Sequence, residues 1–449
     1  MARFELTMTA RYARDWGVRE GLREIVQNAL DGQDSGYPMV VGFQTFNGHE
    51  YLTIQNRGLV LDKSAWLLGK SDKHEGARGR HGDGLKVGTL ALIRQGIDVF
   101  FLNGSERWTP TLETSETFNG ETVMVIQSRS GSARNNDFTV GIQISKDQWE
   151  TYRQDFLPLS DVKPSEILKG GYAGNLITNP AYAGKIFAKG IYVCTKDTMK
   201  WGYDLHDVTL DRDRRILDTW DVQYQTSKIH VALAAKDDEI MDQVFEGLKQ
   251  GLGDVEHFHY FGTDETNAKV VSRFAAQYGE KAVAVDSAAE AERVEYFGFK
   301  GVVVPRGLRD VMVSAVGTTD KIVAKAMDTC GAYLKQDELD PETRKTWSLA
   351  VNLLILAGVV VDKAKVRLYD FNKVPTAPRG TYNIETGEIR INPAVLSSGP
   401  SVIVTLAHEL AHQAGRDGTL DHRAREERIL EDVLGTLLSL VDTNWIAEA

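Results

Sequence analysis

The sequence predicts an α+β protein of several domains, and two observations support this fold class. The chain has 449 residues, whereas one domain usually takes about 100–200 residues. Its patterning also changes along the chain, from alternating helical and strand patterns, through short strands between helices, to a mainly helical last third. We therefore predict three domains, an α/β domain over 1–200, a connecting α/β region over 201–325 and a mainly helical domain over 326–449.

Composition and charge exclude several classes of protein. The chain is 42% hydrophobic and 26% charged, which is typical of globular rather than disordered or fibrous proteins. The longest apolar run, Leu349 to Val361, is shorter than the about 20 residues that cross a bilayer, and the charged N-terminus lacks an apolar signal region. Two cysteines exclude a disulfide framework and fit a cytoplasmic protein. The net charge of −11 argues against general nucleic-acid binding.

The first predicted helix, Arg19 to Asp31, carries three polar residues beside its apolar face. Glu24, Asn28 and Asp31 lie at i, i+4 and i+7, so they form one narrow stripe at the border of that face. A carboxylate and an amide in this place suit water activation and metal coordination. Taken alone, however, such a stripe is more often the polar border of a packed helix.

A strand pattern and a glycine-rich loop follow this helix. Strands are predicted at Met39–Phe46, Tyr51–Gln55, Asp98–Leu102 and Thr122–Gln127. Six of the 41 glycines fall between Gly69 and Gly88, where the chain enters a helical run to Arg94. Glycines before a helix let backbone N–H groups approach phosphate, and Lys86 adds positive charge. Because Lys86 is not followed by Ser or Thr, the loop is not a Walker A loop.

Four segments of this region occur in the order found in one family of ATPases. The segments are REIVQNALDG (23–32), QNRGLVL (55–61), GRHGDGLKVG (79–88) and FNGETVMVI (118–126). On these motifs, residues 1–200 resemble the GHKL ATPases, the family of gyrase, a heat-shock chaperone, histidine kinases and MutL. The resemblance implies a Bergerat α/β sandwich that binds ATP and Mg²⁺, followed by a transducer-like region.

The resemblance also implies a role for each matching residue. Glu24 would activate the attacking water, Asn28 would hold Mg²⁺ and Asp31 would support the pocket. The other nucleotide contacts would come from Asn56, Gly58, Gly79, Gly82, Gly84, Lys86 and Thr122.

One position departs from the family pattern. The family usually has Asp where this chain has Asn56, and Asn lacks the charge assistance in a hydrogen bond from the adenine amino group. This departure bears on nucleotide affinity and base preference. Two hypotheses concern the residues that could contact the γ-phosphate. Either Lys189 or the group Arg212, Arg214 and Arg215 reaches it, or these residues form a solvated charge cluster.

The last third of the chain contains the motif HExxH at His408 to His412. On a helix, two imidazoles at i and i+4 share a face and can hold Zn²⁺ while Glu409 faces the bound water. The surrounding residues are apolar nearly all round, which predicts a buried helix. Since an unpaired buried carboxylate is costly, a metal site is favoured over two histidines that merely pack in a core.

Residues from about 330 onward resemble a small zincin metallopeptidase. A predicted support helix, Glu342 to Val361, and a hairpin, Gly380 to Asn392, precede the motif helix in that family's order. The resemblance implies that Zn²⁺ acidifies the water and polarises the scissile carbonyl, while Glu409 moves the proton to the leaving amine. An extended protein or peptide substrate would pair with the outer strand of the hairpin. Tyr382 is the candidate that completes the oxyanion site.

The third metal ligand has more than one candidate. We predict His422, which follows a short glycine-containing loop and begins a long helix to Leu440. Glu431 lies further along that helix, close to the interval used by gluzincin peptidases, and Glu427 is a weaker alternative. The metzincin spacing fails because Gly418 occupies the place of its third histidine.

These predictions combine into one function, a zinc metallopeptidase that an ATP-binding and ATP-hydrolysing domain controls through its nucleotide state. One rival is an ATP-driven chaperone or clamp with a structural zinc, against which Glu409 argues because a structural site needs four ligands and no base. The other is a MutL- or gyrase-like nucleic-acid remodeller, against which the charge of −11 argues. The expected partners are ATP and a protein or peptide substrate, with neither membrane nor nucleic acid, and a homodimer stays open.

Overall fold

The computed structural model describes residues 2–67, 83–131, 136–211, 216, 219–327, 329, 331–373 and 377–440. The chain divides into two compact units, Met1–Ile229 and His230–Ala449. Each unit contains both helices and strands, which confirms the prediction of a mixed α/β, multidomain protein. Within the described ranges, no helix combines the length and the apolar character that crossing a membrane requires.

The first unit contains a seven-stranded antiparallel sheet with the strand order β1-β6-β5-β4-β7-β3-β2. Its strands are β1 (Ala2–Thr9), β2 (Met39–Phe46), β3 (His49–Asn56), β4 (Val99–Asn103), β5 (Glu106–Thr114), β6 (Thr122–Ser130) and β7 (Phe138–Ile142). The four predicted strands are confirmed to within three residues at each end. β2 and β3 join through Asn47-Gly48, both at positive φ, as a tight two-residue hairpin turn requires.

Two helices of this unit pack against each other through glycine. The helices of this part are α1 (Val18–Asp34), α2 (Gly84–Arg94) and α3 (Lys146–Tyr152), and α1 contains the predicted first helix. A Cβ added to Gly21 would lie 3.0 Å from the Gly88 carbonyl oxygen, and one added to Gly88 would lie 3.0 Å from the Gly21 oxygen. The missing side chains therefore let the two backbones approach closely, which places the start of α2 beside the polar stripe of α1.

A second sheet completes the first unit. Its order is β11-β10-β12-β9-β8, and its strands are β8 (Ile167–Lys169), β9 (Gly174–Ile177), β10 (Lys185–Ala188), β11 (Ile191–Thr195) and β12 (Gly202–Leu205). The boundary between the two units falls within α4 (Thr219–Ala234).

The second unit begins with a helical region around a small parallel sheet. Its elements are α5 (Asp238–Gln250), α6 (Phe258–Phe261), α7 (Asp264–Tyr278), β13 (Ala282–Val285), α8 (Ala288–Glu295), β14 (Lys300–Val303), α9 (Arg306–Val316) and α10 (Thr319–Met327). β13 and β14 pair in parallel and α8 connects them, so they form one βαβ motif.

The end of the second unit is a four-stranded sheet with three helices. Its elements are β15 (Ala332–Leu334), α11 (Pro341–Leu356), β16 (Val366–Asp370), β17 (Gly380–Tyr382), β18 (Ile389–Ile391), α12 (Gly399–Ala411) and α13 (Leu420–Leu440). The strand order is β15-β16-β18-β17, which leaves β17 at the edge. Leu354, Leu406 and Ile429 bring the three helices into one buried core with Leu368 and Ile391 of the sheet. The predicted support helix, hairpin, motif helix and long final helix are confirmed as elements. The support helix ends at Leu356 rather than at Val361, because the chain turns at Gly358, which has φ +78°.

Candidate functional site

The HExxH residues lie at the C-terminal end of α12. Leu406, Ala407 and Leu410 face the core, where all three are at least 97% buried. This anchors the last turn of the helix, and His412 follows directly as its C-terminal cap. Glu409 is 5% exposed.

Three imidazoles converge at this point. The ring centroids of His408 and His412 are 5.2 Å apart, and His422 lies 4.8 Å from His408 and 4.6 Å from His412. His422 belongs to the first turn of α13, and its Nε2 is buried without a hydrogen-bond partner among the described residues. A buried polar atom of this kind is costly unless something binds it.

A carboxylate that the sequence analysis did not identify joins the three histidines. Asp417 lies in the loop between α12 and α13, and its Oδ1 is 3.2 Å from His408 Nε2 and 3.7 Å from Nε2 of both His412 and His422. One ligand atom from each of the four residues lies within 4.8 Å of the others. The three histidines thus direct the same nitrogen toward one point, as metal ligands do.

A second carboxylate, Glu426, lies beside the other ring nitrogen, Nδ1, of two of the histidines. Its oxygens lie 3.4 Å from His408 Nδ1 and 3.9 Å from His422 Nδ1. Carboxylates placed behind histidine ligands hold the rings and raise their basicity. The i, i+4 spacing from His422 was a signal for Glu426, whereas Asp417 sits in an irregular loop that shows none. Glu427 and Glu431, the alternative ligands, lie at exposed positions outside the group.

The surroundings of these groups shift their protonation. Burial raises the pKa of Glu409 to about 8 and lowers the pKa of His412 to about 4. The hydrogen bond with Asp417 raises the pKa of His408 to about 9, and the same bond lowers the pKa of Asp417 to about 2. Glu409 is therefore the carboxyl group of this site that can accept and release a proton near neutral pH.

The edge strand β17 lies beside Glu409. A Cβ added to Gly380 would lie 2.8 Å from Glu409 Oε1, so only glycine leaves room for the carboxylate in its present position. Tyr382 stacks on His412, with ring centroids 5.8 Å apart and planes inclined by 16°. The strand, Glu409 and the motif histidines line a cleft of about 550 Å³.

In the first unit, part of the predicted nucleotide site comes together where α2 begins. A Cβ added to Gly84 would overlap the Glu24 carboxylate and would lie 3.7 Å from Asn28 Nδ2. Glu24 is 8% exposed and accepts a hydrogen bond of 3.3 Å from Arg23 Nε. Asp31 is also buried, further along α1. Glu24, Asn28 and Gly84 therefore form one group.

Asn56 connects two elements of this fold through side-chain hydrogen bonds. Its Nδ2 donates hydrogen bonds of 2.9 Å to the carbonyl oxygens of Ala29 and Tyr37, which ties β3 to the second half of α1. An aspartate could not donate these bonds, which explains why an amide stands at this position. Gly58 has φ +76° and donates its N–H to Asp137 Oδ1 at 2.9 Å, so it forms the turn after β3.

One predicted contact, Thr122, lies far from this group. Thr122 is exposed on β6, four positions from β3 in the sheet order and eight residues along β6 from Ser130, the residue in register with Asn56. At about 4.8 Å per strand, Thr122 is roughly 20 Å or more from Asn56. Lys86 is fully buried in α2, where its Nζ is 3.5 Å from Asp83 and burial lowers its pKa.

Of the remaining residues predicted to contact phosphate, one lies in a turn and the others lie outside the described residues. Lys189 forms the turn between β10 and β11 together with Gly190, and both have positive φ. Gly79, Gly82, Arg212, Arg214 and Arg215 lie outside the described residues.

Comparison with known proteins assigns no function to the chain. No model of a known protein family matches it. An uncharacterized protein of Mycoplasma pneumoniae is 22% identical over 216 residues, which cover 45% of this chain and 86% of that protein. The name of that protein states no activity, so the functional argument depends on the geometry of the two sites.

Proposed function

We propose that this protein is a zinc-dependent metallopeptidase whose chain also carries a GHKL-type ATP-binding domain that controls it. The observation that carries the peptidase proposal is the convergence of three histidine Nε2 atoms beside the buried carboxyl group of Glu409. Three histidines with an adjacent general base are typical of catalytic zinc sites. The order of support helix, hairpin and motif helix, which the zincin resemblance implies, also supports the proposal.

The donor set fits Zn²⁺. Imidazole nitrogen suits zinc, the partnerless Nε2 of His422 would gain a ligand bond, and Glu426 holds two of the rings from behind. His408, His412 and His422 would hold the ion, which would supply Lewis acidity to polarise a carbonyl group and to lower the pKa of a bound water.

The residues of the chain would carry the proton and position the substrate. Glu409 would accept a proton from the attacking water and give it to the leaving amine, a task that suits a carboxyl group with a pKa raised to about 8. The outer side of β17 is unpaired in the sheet, and an extended substrate can add a strand there. Tyr382, stacked on His412, remains the candidate for stabilising the oxyanion.

In the first unit, the grouping of Glu24, Asn28 and Gly84 supports the proposed ATP site. The carboxylate of Glu24 would activate water, and the amide oxygen of Asn28 would bind Mg²⁺ together with the nucleotide. The start of α2 presents backbone N–H groups to the same place, as phosphate-binding helices do.

A second function has one observation in its favour. Asp417 offers a fourth protein ligand, and four protein ligands are typical of structural zinc sites. The chain would then be an ATP-driven chaperone or clamp. Against this, Asp417 is 58% exposed on a loop, so it can leave the metal, and a structural site gives Glu409 no task.

One comparison of variants separates the two functions. Zinc content and cleavage of casein are measured for the full chain and for Glu409→Gln, which keeps the shape but cannot take the proton. A peptidase predicts one zinc per chain in both proteins and a roughly 100-fold or greater loss of cleavage in the variant. Equal rates, or no cleavage by the wild type with zinc bound, would favour the structural site.

A further inference from the structure

The cleft beside the metal group has one wall that lies outside the metallopeptidase-like segment. One side is formed by β17 and the end of α12, through residues such as Gly380, Glu409 and His412. Another part of its lining comes from α8 of the βαβ motif, through Glu290, Glu292 and Arg293. A zincin segment starting at about residue 330 does not include this helix, so its side chains are an additional determinant of what the cleft can bind.

An ionic network fixes this wall to the loop that carries Asp417. Asp320 accepts a hydrogen bond of 2.7 Å from Arg293 on α8 and one of 2.6 Å from Arg416, the neighbour of Asp417 in the chain. Asp320 is buried, and Arg416 also lies 3.9 Å from Glu290. Asp320 therefore links α8 to the loop that carries Asp417.

The lining of the cleft has an excess of negative charge. Apart from the residues of the metal group and Glu409, its carboxylates are Asp286, Glu290, Glu292 and Asp320, whereas its cations are Arg293 and Arg416, both paired with Asp320. Asp286 also lies 3.1 Å from Arg309. Glu292 is exposed and has no ion pair with a described residue. Its charge is thus available to a ligand.

Two further features point to an extended polypeptide as that ligand. Among the described strands, β17 pairs only with β18, so its outer backbone groups have no described strand partner, and Gly380, Thr381 and Tyr382 line the cleft. Glu409, 5% exposed, lines the cleft and makes no hydrogen bond to a described residue, so a buried acceptor is directed into the same space. A main chain can pair with β17 while its side chains reach α8.

We propose that this cleft binds an extended polypeptide segment with lysine or arginine side chains placed against Glu292 of α8. The inference rests on the proposed function, because it names the substrate class of the same site. Charge complementarity at the rim of a cleft sets which partners are accepted more than it sets the total affinity. α8 would therefore act as the specificity wall, and Glu292 would act on a bound side chain without touching the scissile bond.

The first test measures binding without catalysis. Full-length, zinc-loaded Glu409→Gln protein is titrated into three fluorescent peptides that differ only by Lys, Gln or Glu at the same two positions, and anisotropy reports binding. We expect the Lys peptide to bind roughly five- to ten-fold more tightly than the Gln peptide, and the Glu peptide to bind most weakly. Equal affinity for the three peptides would overturn the inference.

A matched pair of variants locates the effect on α8. In the same background, Glu292→Lys should reverse the order of the three peptides. Glu295→Lys makes the same charge change on the same helix, but Glu295 is exposed and does not line the cleft, so the order should stay as it was. If both variants change the order of the peptides equally, net charge alone determines peptide affinity, and the proposed role of α8 in specificity is wrong.

Cleavage assays keep this inference separate from the proposed function. If the Lys peptide binds in a Glu292-dependent way but zinc-loaded wild-type protein does not cleave it, the cleft assignment stands and the peptidase proposal fails. If the wild type cleaves all three peptides at one rate, the peptidase proposal stands and the basic specificity fails.

Discussion

Each unit of this protein buries one glutamate against a glycine. Glu24 is 8% exposed and meets Gly84, and Glu409 is 5% exposed and meets Gly380. In both places a side chain on the glycine would displace the carboxylate. Each glutamate is also the residue that the sequence assigns to water activation, so the two units offer the same kind of carboxylate in two different surroundings.

The two glutamates differ in which elements of the fold supply the residues around them. Near Glu409, both motif histidines come from the same helix end and His422 comes from the next helix, after a short loop. Near Glu24, Asn28 and Gly84 are close, but Asn56 is engaged with backbone carbonyls and Thr122 lies on a distant strand. A site within one helix and its neighbour depends on few contacts, whereas a site spread across a sheet depends on the whole strand order.

The largest expected effect is loss of the metal. His408→Ala or His412→Ala should reduce zinc content from one ion per chain to none, because one of the three converging imidazoles is lost and Asp417, on an exposed loop, does not replace it. Metal analysis after dialysis measures this. His49→Ala, an exposed histidine of the first unit, is the control. Full zinc retention in both motif variants would show that His408 and His412 are not zinc ligands.

The next largest expected effect is a loss of ATP hydrolysis in the first unit. Glu24→Ala should keep ATP binding, measured by calorimetry, and should lower ATP hydrolysis roughly 100-fold or more, because the general base is removed. Zinc content should not change. If the proposed control exists, the peptidase rate should differ between ATP, ADP and no nucleotide, and the variant should hold the rate of the ATP state. One rate under every condition would show that the two activities are only fused.

The two glycines provide a direct test of the parallel. Gly84→Ala should impair ATP hydrolysis and Gly380→Ala should impair peptide cleavage, each by roughly 10- to 100-fold, because a displacement of about 1 Å at a reacting group has that effect. Gly435→Ala on α13 is the control, since its added Cβ would meet no atom within 4 Å. An effect at Gly380 without one at Gly84 would assign a catalytic glutamate to the second unit alone.

The smallest effect concerns stability. Asn56→Ala should lower the unfolding free energy of the first unit by about 2 kcal/mol, because the buried carbonyl group of Ala29 and the partly buried carbonyl group of Tyr37 lose their donor. Asn56→Asp should cost at least as much, since a carboxylate would face the same two oxygens. Urea denaturation followed by circular dichroism measures both, with the exposed Asn372→Ala as the control. If both variants keep their stability but change nucleotide affinity, Asn56 serves nucleotide binding and not the stability of the fold.

Several parts of the fold and the sites follow from the sequence alone because they depend on local spacing. The helical periods around Glu24 and His408, the Asn47-Gly48 turn and the predicted elements of the last third are all present in the structure. A pair at i and i+4 shares a helix face in any fold. For that reason the sequence was enough to place His408 and His412 together, and to place Glu24 beside Asn28.

Only the tertiary structure decided which distant residues meet. Asp417 and Glu426 reach the histidines, and Glu292 reaches the cleft, because α12, α13 and α8 pack as they do. Thr122 is removed from Asn56 by a strand order in which β5, β4 and β7 lie between their strands. Strand order and helix packing arise from burial of the whole core, to which many residues contribute, so no short motif in the chain encodes them.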